Sequence, residues 1–167
     1  MIRYLYLLRH AQSADKQMGQ QDITRELTPV GVKEALVIGT YLFKQNTSLN
    51  CILTSVAERA KVTAGLIGDT LKFDPDKIIT HEELYDASTR TFFQFITQLE
   101  DHYQHVMCVA HNPAISYLAE YLTRAEVGDM TPAGLAIIKF DLKSWKDVNQ
   151  GSGELIQYIT PAMLDSN

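Results

Sequence analysis

The chain has 167 residues, 46% of them hydrophobic, which suits one domain with a real core and argues against wholesale disorder. A formal net charge of −5 argues against nucleic acid as the main partner, because binding a phosphate backbone needs a basic face, but it leaves room for a local basic pocket. No apolar run approaches the roughly 20 residues of a membrane span. "MIRYLYLL" is too short and wrongly flanked for a signal peptide, so a soluble, cytoplasmic protein without a membrane partner is expected.

In chain order, "YLYLL" (residues 4–8) reads as a buried strand, too continuous for an exposed edge. Residues 11–27 are polar and irregular. "LTPVGVKEALVIGTYLFKQ" reads as a helix, with Thr28 able to cap it and Pro29 suited to its first position. Val32, Ala35, Leu36, Gly39, Leu42 and Phe43 follow helical spacing. "CILTS" (51–55) is a second strand, and residues 57–72 are helical. "KIITHEEL" is extended and then irregular. Residues 88–101 form a helix with Phe92, Phe95, Ile96 and Leu99 on one face, a core stripe. "HVMCVA" (105–110) is a strand. "NPAISYLAEYL" (112–122) is a helix with an Asn cap and Pro in its first turn. "GLAIIKFDL" (134–142) and "GELIQYIT" (153–160) are strands joined by a polar turn, with an antiparallel pairing open to them. Cys51 and Cys108 lack zinc or disulfide spacing and are expected as free core thiols. No repeat or linker divides the chain. The alternation predicts one domain over residues 1–167, an α/β fold with three layers (α/β/α) and a largely parallel mixed sheet.

In such sheets ligand groups gather beyond the carboxyl ends of strands. The first strand ends at Arg9-His10. The second is followed by "TSVAERAKVTA", with Arg59 in the first turn of a helix. "HVMCVA" runs into His111. Parallel strands would deliver two arginines and two histidines to one edge, where a helix opening adds backbone N–H groups and a positive dipole end. That set suits phosphate. Arginine forks bind phosphate oxygens in pairs. A histidine with one nitrogen held by a carbonyl presents the other as a nucleophile. Fixed cations stabilise charge on the transferring group. Nothing in the set requires a metal or cofactor, and there is neither a Walker-type glycine loop nor a His-Glu-x-x-His run.

"LLRHAQSA" resembles the Arg-His-Gly signature of the histidine phosphatase superfamily, the phosphoglycerate mutase-like fold. "LTPVGVKEA", "TSVAERAKVTA", "EELYDAS" and "VAHNPAISYLA" resemble its later blocks in the same order, over residues 3 to about 122, and "TPAGLAIIKF" extends the likeness. The short length and the "HNP" and "ELYDAS" forms are most similar to SixA-type phosphohistidine phosphatases. The resemblance implies His10 as the nucleophile, Arg9 and Arg59 as phosphate holders, and His111 as a hydrogen-bond donor whose cationic form stabilises the transferring group. Water would then hydrolyse the phosphohistidine. Ala11 stands where the family's usual Gly would give the easiest positive φ; SixA-type members often carry Ala there. For the proton donor used by many branches, "HEELYDAS" offers Glu82 or Glu83, with Glu82 nearer the family spacing. SixA-like proteins can lack this acid, because protonated imidazole already leaves well.

Plainer readings stand beside these. Arg9 and His10 as a pair are commonly surface residues, Arg59 taken alone a solvated helix residue, and His111 a helix cap. Ser13 is a candidate for binding substrate, as is Gln12 for lining the pocket, yet loop polarity explains both. Thr24 and Arg25 lie in the polar segment available to flank the site, with solvated loop the preferred reading, and Asp15-Lys16 reads as a charged loop. His81, His102 and His105 read as ordinary histidines. The only spare lengths for a lid are residues 14–26 and 124–132, so an open, shallow pocket is expected. That favours phosphohistidine displayed on a protein, such as a phosphotransfer domain, over a small phosphomonoester. A phosphate-binding module without turnover and a mutase are the other classes. The oligomeric state is left open.

Overall fold

The computed structural model describes residues 1–165. Eleven regular elements are β1 (Ile2–Arg9), α1 (Pro29–Lys44), β2 (Cys51–Ser55), α2 (Glu58–Thr70), β3 (Ile78–His81), α3 (Thr89–Thr97), β4 (His105–Ala110), α4 (Ala114–Thr123), β5 (Leu135–Asp141), β6 (Gly153–Ile159) and α5 (Pro161–Asp165). The strands form one six-stranded sheet in the order β3-β2-β4-β1-β5-β6. The four from β3 to β1 run parallel; β5 and β6 are antiparallel additions.

The unbroken apolar run of β1 is explained by a sheet buried on both faces. Leu5 and Leu7 point to one layer, where Phe92, Ile96, Ile115 and Leu118 of α3 and α4 pack. Tyr6 and Leu8 point to the other, against Ala35, Ile38 and Leu42 of α1 and Ala64 and Ile67 of α2. The result is the expected α/β/α sandwich. Cys51 and Cys108 are free and buried, and burial pushes the Cys51 thiol up to about 12, which makes it a poor nucleophile.

Local chemistry sets the helix ends. Thr28 caps α1, accepting from the Gly31 N–H at 3.0 Å, with Pro29 in the first turn. Ser88 caps α3 on Thr91 N–H. α3 stops at Thr97, short of the expected residue 101, because Gln98 and Leu99 tighten to i−3 bonds and Asp101 turns to Ser144 and Trp145. α4 begins at Ala114, two residues after the expected start. Asn112 does not cap it: its side chain donates to the Met130 carbonyl and accepts from Ser116 Oγ. Just before the polar turn that leads to β6, Trp145 is fully buried with the Arg3 guanidinium over its ring.

Candidate active site

Register brings the strand ends together. Arg9 lies beside Ala110, and Thr54 beside Val109. The next residues, His10, Ser55 and His111, therefore emerge at one edge of the sheet. The rings of His10 and His111 lie 5.1 Å apart, centroid to centroid, and Tyr85 stands edge-on to His111.

His10 is 7% exposed, and its Nδ1 lies 2.8 Å from the Ala11 carbonyl. A carbonyl only accepts, so Nδ1 carries the proton and Nε2 keeps a lone pair. Ala11 holds this geometry without a positive φ, so the missing glycine costs no strain, and its N–H is taken by Thr63 Oγ1. His111 Nε2 lies 2.8 Å from the fully buried Ser55 Oγ, which already accepts from the Ala57 N–H. With no other acceptor for its hydrogen among the described residues, the Ser55 hydroxyl donates to Nε2, placing the His111 ring proton on Nδ1. That nitrogen is buried with no partner among the described residues, as is Arg9 Nε. Buried polar groups are normally paired, so two unpaired donors beside His10 suit an oxyanion.

Three arginines surround the pair. Arg9 donates to the Met130 carbonyl. Arg59, 6% exposed at the start of α2, donates through both terminal nitrogens to Asp22, one to its carbonyl at 2.9 Å and one to Oδ2 at 3.0 Å. Arg25 donates to Ala14 O, Ser13 Oγ and Asp22 Oδ1. Burial first, then Arg59, Arg9 and Arg25, lower His10 to about 4. Burial, followed by His10 and Arg59, lowers His111 to about 3. Both are neutral near pH 7. For His10 this leaves Nε2 unprotonated; for His111 it leaves a neutral ring where a cation was expected on the phosphate. The Tyr85 hydroxyl, at 2.6 Å, is the largest cause holding the Asp22 carboxyl far below the usual carboxylate range, with Arg25 and Arg59 assisting.

A hollow of about 160 Å³ opens on this cluster, walled by Arg59, His111, Asp22, Tyr85, Phe92 and Pro113. His10 and Arg9 are not on that wall; His10 lies against His111 beneath it. Glu82 is exposed on a one-turn 3-10 helix and does not line the hollow, so the geometry gives it no contact with the reacting centre; Glu83 is exposed beside His81. Ser13 is spent on Arg25, and Gln12 on Thr28 and Glu34. Arg25, expected as solvated loop, is half-buried. The segments expected as spare lid are walls: residues 14–26 bring Asp22 to Arg59, and residues 124–132 bring Met130 to Arg9 and Asn112. Sequence reasoning missed Asp22 and Tyr85 as site residues and assigned Ser55 no role. Ser55 had a signal, its place at a strand end; Asp22 had none, lying in an irregular polar stretch.

The profile of the histidine phosphatase superfamily (branch 1) matches residues 5–92. The chain belongs to this superfamily. The matched segment carries Arg9, His10 and Arg59. Over its length, this histidine phosphatase is 29% identical to Rv1276c of Mycobacterium tuberculosis, across 92% of this chain and 99% of that protein. It superposes on a SixA protein from Agrobacterium tumefaciens with a TM-score of 0.81 and 26% identity, covering 95% of this chain and 98% of the other. Its fold is also that of the protein histidine phosphatase SixA complexed with tungstate: TM-score 0.82, 22% identity, covering 96% and 99% of the two chains. Superfamily and neighbours together support a phosphatase.

Proposed function

We propose that this histidine phosphatase works without a metal through a phosphohistidine formed on His10, and that its substrate is phosphohistidine on a protein. The observation that carries the reading is His10 itself: its proton is held on Nδ1 by Ala11 O, its Nε2 lone pair is free, and it is neutral among three arginines. Arg9 and Arg59 hold the phosphate oxygens, and the His111 Nδ1–H donates to one of them. The lone pair on Nε2 attacks phosphorus, and the bond to the leaving group breaks. Water then attacks the phosphorus of phospho-His10, releasing inorganic phosphate and restoring the lone pair.

A phosphoramidate substrate fits the acid-base inventory. Asp22, the carboxylate nearest the cations, is held ionised and has no proton to give. A substrate imidazole protonated on its far nitrogen leaves as neutral imidazole and needs none. The likeness to SixA proteins supports the same substrate class. A panel of phosphohistidine proteins, phosphoramidate and sugar phosphates, assayed with wild type and His10→Ala, tests the reading. Preference for the phosphohistidine proteins, lost in the variant, is expected. Preference for a sugar phosphate overturns the substrate class, and tight phosphate binding without turnover by wild type overturns the enzyme.

A further inference from the structure

We propose that Asp22 selects substrates with a cationic leaving group, by accepting a hydrogen bond from the protonated far nitrogen of the substrate's imidazole. The inference rests on the reading of the site given above and assigns its leaving-group specificity to a residue. Asp22 comes from the loop after β1 and lines the same hollow as Arg59 and His111, so a substrate whose phosphate is held by those two would carry its leaving group into the hollow that Asp22 shares. Its Oδ1 takes Arg25; its Oδ2 takes Arg59 and the Tyr85 hydroxyl. These bonds fix the carboxylate in place, and with 41% of the side chain exposed it still faces incoming substrate. Each carboxylate oxygen has more than one acceptor direction, so a ring N–H can be added at the exposed side.

The rest of that wall agrees. Asp86 lies on it, and Tyr85 and Pro113 offer apolar surface to an aromatic ring. A negative charge beside the phosphate site penalises every phosphate dianion. The penalty is offset only where the leaving group is positive. An imidazolium meets that condition, whereas a sugar or a second phosphate does not. In the transfer step the His10 Nε2 pair forms the new P–N bond. The old P–N bond breaks with its pair on the substrate nitrogen, and the far nitrogen keeps its proton, so neutral imidazole departs and the positive charge facing Asp22 is lost.

The test compares kcat/KM for N-phosphoimidazole with kcat/KM for p-nitrophenyl phosphate, whose leaving group is an anion. In Asp22→Asn the ratio is expected to fall roughly ten- to a hundredfold, the worth of one charged hydrogen bond, and Asp22→Glu is expected to restore part of it. Asp86→Asn, which leaves the arginine contacts intact and suits the positive φ of that residue, is expected to lower the ratio about threefold and decides the matter should Asp22→Asn not fold. An unchanged ratio, or equal losses on both substrates, overturns the proposal and reduces Asp22 to a holder of Arg59. Wild type that turns over neither substrate and gains no phosphoryl group on His10 overturns the reading beneath it as well.

Discussion

His10 owes the free lone pair on Nε2, the proposed nucleophile, to one hydrogen bond and its neutrality to burial among cations. Both have a stability consequence. The folded-state pKa values of about 4 for His10 and about 3 for His111 lie below the ordinary histidine value of 6.5. Between those values the unfolded chain binds more protons, so stability rises with pH up to about 6.5 and falls as acid is added. The groups facing the pair are Arg9, Arg25, Arg59 and Asp22; Asp22 adds a loss of the same sign only below its ordinary value of 3.8. Denaturant titrations at pH 7 and 4.5 should show wild type losing on the order of 2 kcal/mol more than His10→Asn. Equal losses would mean that His10 is not buried neutral. Glu82 makes the opposite case. It is exposed and off the wall of the hollow, so Glu82→Gln should change kcat/KM on a phosphohistidine protein by less than about threefold. A loss of a hundredfold would restore it as the proton donor.

At the scale of elements, α1 buttresses the loop that follows His10. A Cβ at Gly31 would sit 2.1 Å from the Gln12 carbonyl oxygen, and the same helix start receives the Thr28 cap. Gly31→Ala must therefore push the loop away from the strand end. We expect a loss of about 1–3 kcal/mol in denaturant unfolding, together with a fall in kcat; an unaffected kcat would show the loop to be uncoupled from catalysis. The elements were largely legible in the sequence, because strands buried on both faces read as apolar runs and α1 announces its own cap. The ends of α3 and α4 were not. Asp101 and Asn112 bond to Ser144 and Met130, partners distant in the chain that no local pattern names. The site divides along the same line. Arg9, His10, Arg59 and His111 each lie at or shortly after a strand end and could be grouped by topology. Asp22, Arg25 and Tyr85 are joined by side-chain bonds across an irregular loop, and Arg25 accordingly read as solvent-exposed.

Across the whole molecule, the more buried arginines gather at the two ends of β1. Arg3, fully buried, donates to the carbonyls of Asp101, Tyr103, Leu142 and Lys143, and so ties the start of β1 to the chain before β4 and after β5. Arg9, Arg25 and Arg59 converge at the opposite end of the same strand. β1 thus carries a structural arginine near one end and His10, the proposed nucleophile, just past the other. The most direct test of the account is to mix the enzyme with phosphohistidine protein, quench within the first turnovers in base, and map the phosphoryl group by mass spectrometry. We predict a base-stable, acid-labile phosphoryl group on His10 that is absent from His10→Ala; turnover with no label there, or with the label on His111, would contradict it.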